Sequence, residues 1–218
     1  MNIIGHPSSH GLDRSGLKTR AVQHWNLGTP QLIEDAVRRH EGVLAKDGPL
    51  VVETGKHTGR SASDKFTVRD AETENTVWWG KSNQPMTTEQ FDRIEAKVRA
   101  YLEAREDLYV QDIYGGAEPS HRVRVRVVTE NAWHAAFART LLVRPELEEL
   151  AAFVPDFHIL HAPHLLMDPA VDGTRSETVI AVNFGRKLIC IAGTRYAGEI
   201  KKSVFSILNY LLPTQGVM

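Results

Sequence analysis

The chain has 218 residues, of which 42% are hydrophobic, so it is long enough and apolar enough to build a buried core. Its 26 basic and 27 acidic residues leave a formal charge of −1, so no global field favours nucleic acid or a membrane surface as a partner. The single cysteine, Cys190, lies in an apolar run and has no internal disulfide partner. No secretion signal and no membrane-spanning stretch is apparent, which predicts a soluble cytoplasmic protein.

The first 28 residues are rich in Gly, Ser and His and show no clear periodicity. We interpret residues 1–28 as a loosely ordered N-terminal arm. Regular structure is expected from "TPQLIEDAVRRHEG", which predicts a helix with Thr29 as N-cap, Pro30 at the first helical position and Gly42 just past the end.

Strands and one long helix are predicted next. The three predicted strands are "PLVVETG", "DKFTV" and "NTVWWG". The segment "TTEQFDRIEAKVRAYLEAR" then predicts an amphipathic helix that begins with a capping box of Thr87 and Gln90. Its apolar stripe consists of Phe91, Ile94, Val98 and Leu102.

The second half of the chain continues this alternation. Its predicted strands are "DLYVQDIYGG", "HRVRVRVVTE", "FHILHAP", "ETVIAVNF" and "KLICIAGT", and "NAWHAAFARTLL" is a predicted helix. Helices and strands that interleave in this way predict an α/β fold with a mixed β-sheet and flanking helices.

The stretch "TGKHTGRSASDKFTV", residues 54–68, looks at first like a phosphate-binding loop. A P-loop requires G-x-x-x-x-G-K-[ST], but Gly55 and Gly59 are one residue too close and Arg60 occupies the lysine position. The strict match fails. What remains is a flexible turn that presents Lys56, Arg60 and Lys65, typical of an anion site of another kind.

Two further clusters allow a functional and a structural interpretation. Arg122, Arg124 and Arg126 share one strand face and could bind phosphates, but we favour a solvated or salt-bridged sheet face. His158, His161 and His164 have a spacing that would suit metal ligands on a helix. Pro163 favours a strand and a turn instead, with His158 and His161 on opposite faces, so we expect these histidines to be structural.

The segment "AGTRYAGEIKKSVFSILNYLLP", residues 192–213, predicts a helix that starts near Ala197 or Gly198 and stops before Pro213. Lys201 and Lys202 then lie in or near its first turn. They are either surface lysines or part of an anion site at the helix N-terminus. We favour the anion site, because crowded positive charge lowers the pKa of a lysine and lets it act as a base or metal ligand.

These stretches together resemble the ATP-dependent phosphoenolpyruvate carboxykinase family. The resemblance rests on "TGKHTGRSASDKFTVRD", "GTRYAGEIKKSVFSILNYLLP", "WW" at 78–79 and "VTENAW" between them. It runs from about residue 28 to the C-terminus in the family's order and spacing. It implies that residues 29–218 are the carboxykinase N-terminal, oxaloacetate-binding domain.

The family converts oxaloacetate and ATP to phosphoenolpyruvate, CO2 and ADP in gluconeogenesis, with Mn2+ and Mg2+. By the resemblance, Arg60 binds the substrate carboxylate or the departing CO2, which suits a bidentate guanidinium. Tyr196 contacts the substrate near that carboxylate. The resemblance further implies that Arg60, Lys201 and Lys202 are catalytic. Lys202 also binds the substrate and is a Mn2+ ligand, and Lys201 helps to maintain the positive field.

The sequence also departs from the family pattern. Ala62 and Ser63 stand where the family usually has Pro-Lys, and Arg195 and Ala197 replace Trp or Thr and Gly. The family's P-loop, metal-binding His and Asp and further substrate arginines lie beyond the point that corresponds to Met218.

The missing partner is therefore expected to be the C-terminal nucleotide lobe. We expect the chain alone to be inactive and to bind Mn2+, Mg2+ and ATP at most weakly. The alternatives are a non-catalytic binding module for dicarboxylate or phosphate metabolites and a structural remnant.

Overall fold

A computed structural model describes residues 2–217. The strands in these residues are β1 (Ile3–Gly5), β2 (Val22–Trp25), β3 (Gly42–Leu44), β4 (Leu50–Val52), β5 (Lys65–Val68), β6 (Gln84–Met86), β7 (Asp107–Gly115), β8 (Val123–Thr129), β9 (Phe157–Ala162), β10 (Val179–Asn183) and β11 (Leu188–Ala192). The α-helices are α1 (Thr29–Arg38), α2 (Thr88–Glu103), α3 (Ala132–Leu141), α4 (Leu147–Leu150), α5 (Pro169–Asp172) and α6 (Gly198–Thr214). Short 3-10 helices cover Leu12–Ser15 and Ala62–Asp64.

Nine of these strands form one mixed sheet in the order β1-β2-β7-β8-β9-β11-β10-β5-β6, while β3 and β4 form a separate hairpin. Only β7/β8 and β10/β11 pair antiparallel within the large sheet. The parallel pairs need crossover connections, and β2 and β7 are joined by a crossover that contains α1 and α2. The predicted α/β fold with a mixed sheet and flanking helices is confirmed.

Apolar side chains cover both faces of the central strands. On one face, α2 packs through the predicted stripe onto alternate residues such as Leu160 and Cys190. On the other face, α6 packs through Ile200, Val204 and Ile207 onto the intervening residues of the same strands. Because both faces are buried, the central strands are almost continuously apolar in sequence.

The N-terminal segment differs from the expected loosely ordered arm. Within residues 2–28, β1 and β2 extend the large sheet, and β2 pairs parallel with β7. Trp25 is 1% exposed and belongs to the main core. The composition of this segment hid the strands because they are only three and four residues long and lack a clear alternation.

The observed helix caps and helix ends agree only in part with those predicted from the sequence. Thr87 accepts a hydrogen bond from Gln90 N, so the predicted capping box of α2 is confirmed. The N-cap of α1 is Gly28 rather than Thr29, because the Gln31 side chain accepts the Gly28 N–H. Helix α6 continues through Pro213 to Thr214, just beyond the predicted stop.

The segment "NTVWWG", residues 75–80, is not a strand. It forms turns, in which Thr76 and Val77 donate backbone hydrogen bonds to Thr73 O and Trp79 Nε1 donates to Glu74 O. Trp78 is 91% exposed. Aromatic and β-branched residues favoured a strand, but these local hydrogen bonds satisfy the backbone without a partner strand.

Two smaller findings concern membranes and the cysteine. No helix within residues 2–217 combines the length and the apolar character needed to cross a bilayer. Cys190 is fully buried, and burial raises the pKa of its thiol.

The sheet order brings two distant parts of the chain to one edge. Strand β10 lies antiparallel to β11 and parallel to β5. The end of β11 and the start of β5 therefore lie at the same edge of the sheet. This places the loop before β5 beside the segment that leads from β11 into α6.

Candidate anion-binding site

The loop of residues 53–64 is tied to the β11–α6 junction by a chain of hydrogen bonds. Thr178 Oγ1 donates its single proton to Gly193 O at 2.8 Å. The same hydroxyl must therefore accept from His57 Nε2, which lies 2.9 Å away. His57 Nδ1 then accepts from Ser61 Oγ at 2.8 Å. The arrangement places a proton on His57 Nε2 and holds the loop in place.

A buried carboxylate makes a second connection between the loop and α6. Glu199 Oε1 accepts the Ser61 backbone N–H at 2.7 Å, and Glu199 is 4% exposed. Burial raises the pKa of Glu199, while the Ser61 N–H and the charges of Arg60 and Lys65 act in the opposite direction.

Glycines at two points of the loop and the β11–α6 junction lie close to other residues. Gly55 has φ +65°, and a Cβ there would lie 2.4 Å from Arg195 Nη2. Gly193 has φ +73°, and a Cβ there would lie 2.2 Å from the carbonyl oxygen of Glu177, just before β10. A side chain at Gly193 would therefore displace the backbone before β10, whereas one at Gly55 would displace the end of the Arg195 side chain.

A cavity of about 1170 Å³ opens between the loop, the turns before β6 and the outer face of α6. Its lining includes the cations Arg60, Lys65, Lys81 and Lys202 and no carboxylate residue. Within residues 2–217, none of these four cations takes part in an ion pair. The cavity is therefore suited to an anion.

Arg60, Lys65 and Lys202 are thus brought together, whereas two other expected site residues are not part of the lining. Lys201 is exposed on the first turn of α6. The Tyr196 ring packs against Gly198, where a Cβ would lie 2.3 Å from Tyr196 Cε1. Lys202 Nζ lies 5.2 Å from the centre of the Phe205 ring, a cation–π contact on the same helix.

Lys65 is the residue whose importance the sequence understated. It is the first residue of β5 and is partly buried. Burial, and next the charge of Arg60, lower the pKa of Lys65, whereas the Glu199 carboxylate raises it. The sequence placed Lys65 in a basic turn but assigned it no separate role.

Comparison with known proteins identifies the family. A family model described as Phosphoenolpyruvate carboxykinase matches residues 21–218. The chain belongs to this family. The match covers both the loop that presents Arg60 and the helix that presents Lys202, and it confirms the resemblance to the ATP-dependent phosphoenolpyruvate carboxykinases.

Curated relatives carry the name Phosphoenolpyruvate carboxykinase (ATP). The chain is 64% identical over 193 residues to the protein of Novosphingobium aromaticivorans, which covers 88% of the chain and 36% of the relative. It is 51% identical over 217 residues to the protein of Methylobacterium radiotolerans, a match that covers 100% of the chain and 40% of the relative. It is 56% identical over 208 residues to the protein of Methylobacterium nodulans, a match that covers 95% of the chain and 38% of the relative. The chain therefore spans well under half the length of these carboxykinases.

Two buried histidines support the backbone that leads into α6. His134 Nε2 lies 2.9 Å from Arg195 O, and His161 Nε2 lies 3.1 Å from Thr194 O. Each carbonyl can only accept, so each histidine carries its proton on Nε2. Burial lowers the pKa of His134 well below its usual value and that of His161 to about 4.

His158 and His161 lie on opposite faces of β9, as the sequence predicted. The Nδ1 atom of His158 lies 3.0 Å from Ser15 Oγ. Within the described residues 2–217, no group of three or more His, Cys, Asp or Glu side chains could hold a metal ion.

Arg122, just before β8, and Arg124 and Arg126 within β8 are salt-bridged, which agrees with the favoured interpretation. Arg122 pairs with Glu149 at 2.8 Å and Arg124 with Asp156 at 2.7 Å. Arg126 differs from a surface residue, because it is fully buried and pairs with the fully buried Asp112 at 2.7 Å.

Proposed function

We propose that this chain is the oxaloacetate-binding part of an ATP-dependent phosphoenolpyruvate carboxykinase, which converts oxaloacetate and ATP to phosphoenolpyruvate, CO2 and ADP. The observation that carries the proposal is the cavity lined by Arg60, Lys65, Lys81 and Lys202 without a carboxylate. Oxaloacetate and phosphoenolpyruvate are both multiply charged anions, so such a cavity favours binding of both the substrate and the product.

In this proposal, Arg60 binds a substrate carboxylate. A guanidinium presents N–H donors in a planar fork that matches the two oxygens of a carboxylate. The bond from Ser61 N to Glu199 fixes the backbone next to Arg60. Its guanidinium is consequently positioned for the substrate by a loop that is attached at both ends.

Lys202 contributes a second positive charge from α6. During decarboxylation, negative charge develops on the oxygen of the enolate, and a cation held nearby stabilises that charge. Lys201, on the same turn, maintains the positive potential. Tyr196 contacts the substrate near the substrate carboxylate. Since the Tyr196 ring packs on Gly198, this contact requires the Tyr196 hydroxyl to reach into the cavity.

Mn2+ and Mg2+ with ATP complete the reaction in the family, but the described residues do not by themselves fit a metal site. The cavity lining supplies no His, Asp or Glu side chain, and Lys202 is its only proposed metal ligand. Carboxylates and imidazoles are the usual protein ligands of these ions, so further ligands must come from elsewhere in the enzyme.

Binding without catalysis is the second candidate for the isolated chain. The sequence contains no G-x-x-x-x-G-K-[ST] motif, and phosphoryl transfer depends on a loop that positions the γ-phosphate. We therefore expect the 218 residues alone to bind a small dicarboxylate without turnover. A coupled assay for phosphoenolpyruvate distinguishes this expectation from activity of the chain itself.

Calorimetric titration with oxalate, a small stable dicarboxylate, tests the proposed function. The parent chain should bind oxalate with a Kd on the order of millimolar. Arg60→Ala should weaken binding at least about tenfold, the usual effect of removing a charged hydrogen-bond donor. Arg144→Ala removes the same charge from an exposed position outside the cavity and should leave the affinity unchanged. Equal losses in both variants, or no oxalate binding by the parent, would contradict the proposal.

A further inference from the structure

Lys65 occupies the point where the sheet meets the cavity. It is the first residue of β5, and its register partner in the neighbouring strand is Ile180 on β10. Its backbone is therefore fixed by the sheet rather than by a mobile loop. Its side chain lines the same cavity as Arg60 and Lys202.

The ammonium group of Lys65 has no structural partner that would explain its position. Within residues 2–217, Lys65 Nζ makes no ion pair and no side-chain hydrogen bond. The Glu199 carboxylate acts on its charge, but Glu199 Oε1 is already bonded to Ser61 N at 2.7 Å. Lys65 is thus not simply one half of a buried salt bridge.

The charge of Arg60 makes this placement costly in the empty protein. Two cations that share a partly buried site repel each other, and burial removes some of the water that would otherwise solvate them. Both effects lower the pKa of Lys65. An anion placed between the two groups would offset both costs.

We propose that Lys65 is a further substrate-binding residue, whose ammonium group binds the same small dicarboxylate as the Arg60 guanidinium. This inference rests on the proposed function, since it assumes that the cavity binds the substrate of the carboxykinase. The ligand class is a compact dianion, because Arg60 and Lys65 lie five residues apart and line the same cavity. Lys65 then determines affinity for the second negative charge of the ligand.

Oxalate titration of the 218-residue chain tests this role with three variants. Lys65→Met keeps the length of the side chain and removes its charge, and it should weaken oxalate binding about tenfold or more. Lys65→Arg keeps the charge and should remain within about threefold of the parent. Lys46→Met removes a lysine charge from the exposed β3–β4 turn and should have no effect on the Kd.

Thermal unfolding of the empty variants separates binding from folding. Lys65→Met should unfold at the same or a higher temperature than the parent, because the repulsion with Arg60 is removed. An unchanged oxalate Kd in Lys65→Met, with Arg60→Ala still impaired, would overturn the role of Lys65 and leave the proposed function intact. A loss in Lys65→Arg as large as in Lys65→Met would also overturn it. Failure of the parent to bind oxalate would reject the proposed function itself.

Discussion

At the scale of single residues, Gly193 lies close to the backbone before β10, and Gly55 lies close to the Arg195 side chain. A Cβ at Gly193 would meet a backbone oxygen at 2.2 Å, whereas at Gly55 it would meet the end of the flexible Arg195 side chain. Gly59 has no such contact within 4 Å and no positive φ. The three glycines of this region therefore have different structural requirements.

Alanine substitutions should separate these requirements. Gly193→Ala should reduce the free energy of unfolding by about 3 kcal/mol or more, because the backbone must shift. Gly55→Ala should cost about 1–2 kcal/mol, mostly from its positive φ. Gly59→Ala should remain within about 0.5 kcal/mol of the parent. Urea unfolding measures all three, and equal effects at Gly193 and Gly59 would contradict the described approach.

Some site residues were predictable from the sequence because of their chemistry. Others were missed because their roles depend on long-range contacts. Arg60 and Lys202 were identified from a basic turn and a helix start, and the structure places both in one cavity. The bond between Glu199 and Ser61 joins residues 138 positions apart, so no local pattern could reveal it. Lys65 was recognised as basic, but its proximity to Glu199 on α6 depends on the order of the strands.

At the scale of elements, the N-terminal segment completes a buried ionic network beneath β8. Arg126 donates to both oxygens of Asp112, at 2.7 and 3.1 Å, and also to the backbone oxygens of His10 and Gly11. The segment was expected to be loose, because its glycines and serines resemble a disordered tail. The segment is ordered because its backbone oxygens bind the buried Arg126 guanidinium, and composition does not reveal such contacts.

Breaking this network should be far more costly than breaking a surface pair. Asp112→Asn should reduce the free energy of unfolding by about 3–5 kcal/mol, since it leaves the Arg126 charge buried without its partner. Asp156→Asn disrupts the more exposed pair with Arg124 and should cost about 1 kcal/mol or less. Denaturant unfolding provides the comparison, and similar losses in both variants would show that Asp112 and Arg126 do not form a buried pair.

The histidines behind the β11–α6 junction predict acid sensitivity. Burial lowers the pKa of His161 to about 4, below its unfolded value near 6.5, so the unfolded chain binds the proton more readily. The resulting stability is complete above about pH 6.5 and is lost as the pH falls toward 4. For His161 it amounts to on the order of 3 kcal/mol.

Replacement of His161 should reduce this pH dependence. His161→Gln should show a smaller decrease in the free energy of unfolding between pH 6.5 and 4 than the parent. His6→Gln, at an exposed position, should retain the parent's slope. Unfolding measured across this pH range tests the prediction, and an unchanged slope in His161→Gln would exclude His161 as a source of the acid sensitivity.

At the scale of the whole molecule, the order of the strands creates the site. Most helices and strands after residue 28 were predictable, because amphipathic stripes and apolar runs reflect local burial. The antiparallel β10/β11 pair and the parallel β10/β5 pair place the starts of β5 and α6 at one edge. The β5/β10 pairing joins segments more than 100 residues apart, and it depends on long-range packing that periodicity does not encode.

The position of a bound dicarboxylate tests the central claim most directly. A crystal structure of the 218-residue chain with oxalate should show the anion in the cavity between the loop of residues 53–64 and α6. Its oxygens should lie within hydrogen-bond distance of the Arg60 guanidinium and near the ammonium groups of Lys65 and Lys202. Oxalate bound only elsewhere on the chain, with this cavity empty at a concentration that saturates binding in solution, would contradict the assignment of the substrate site.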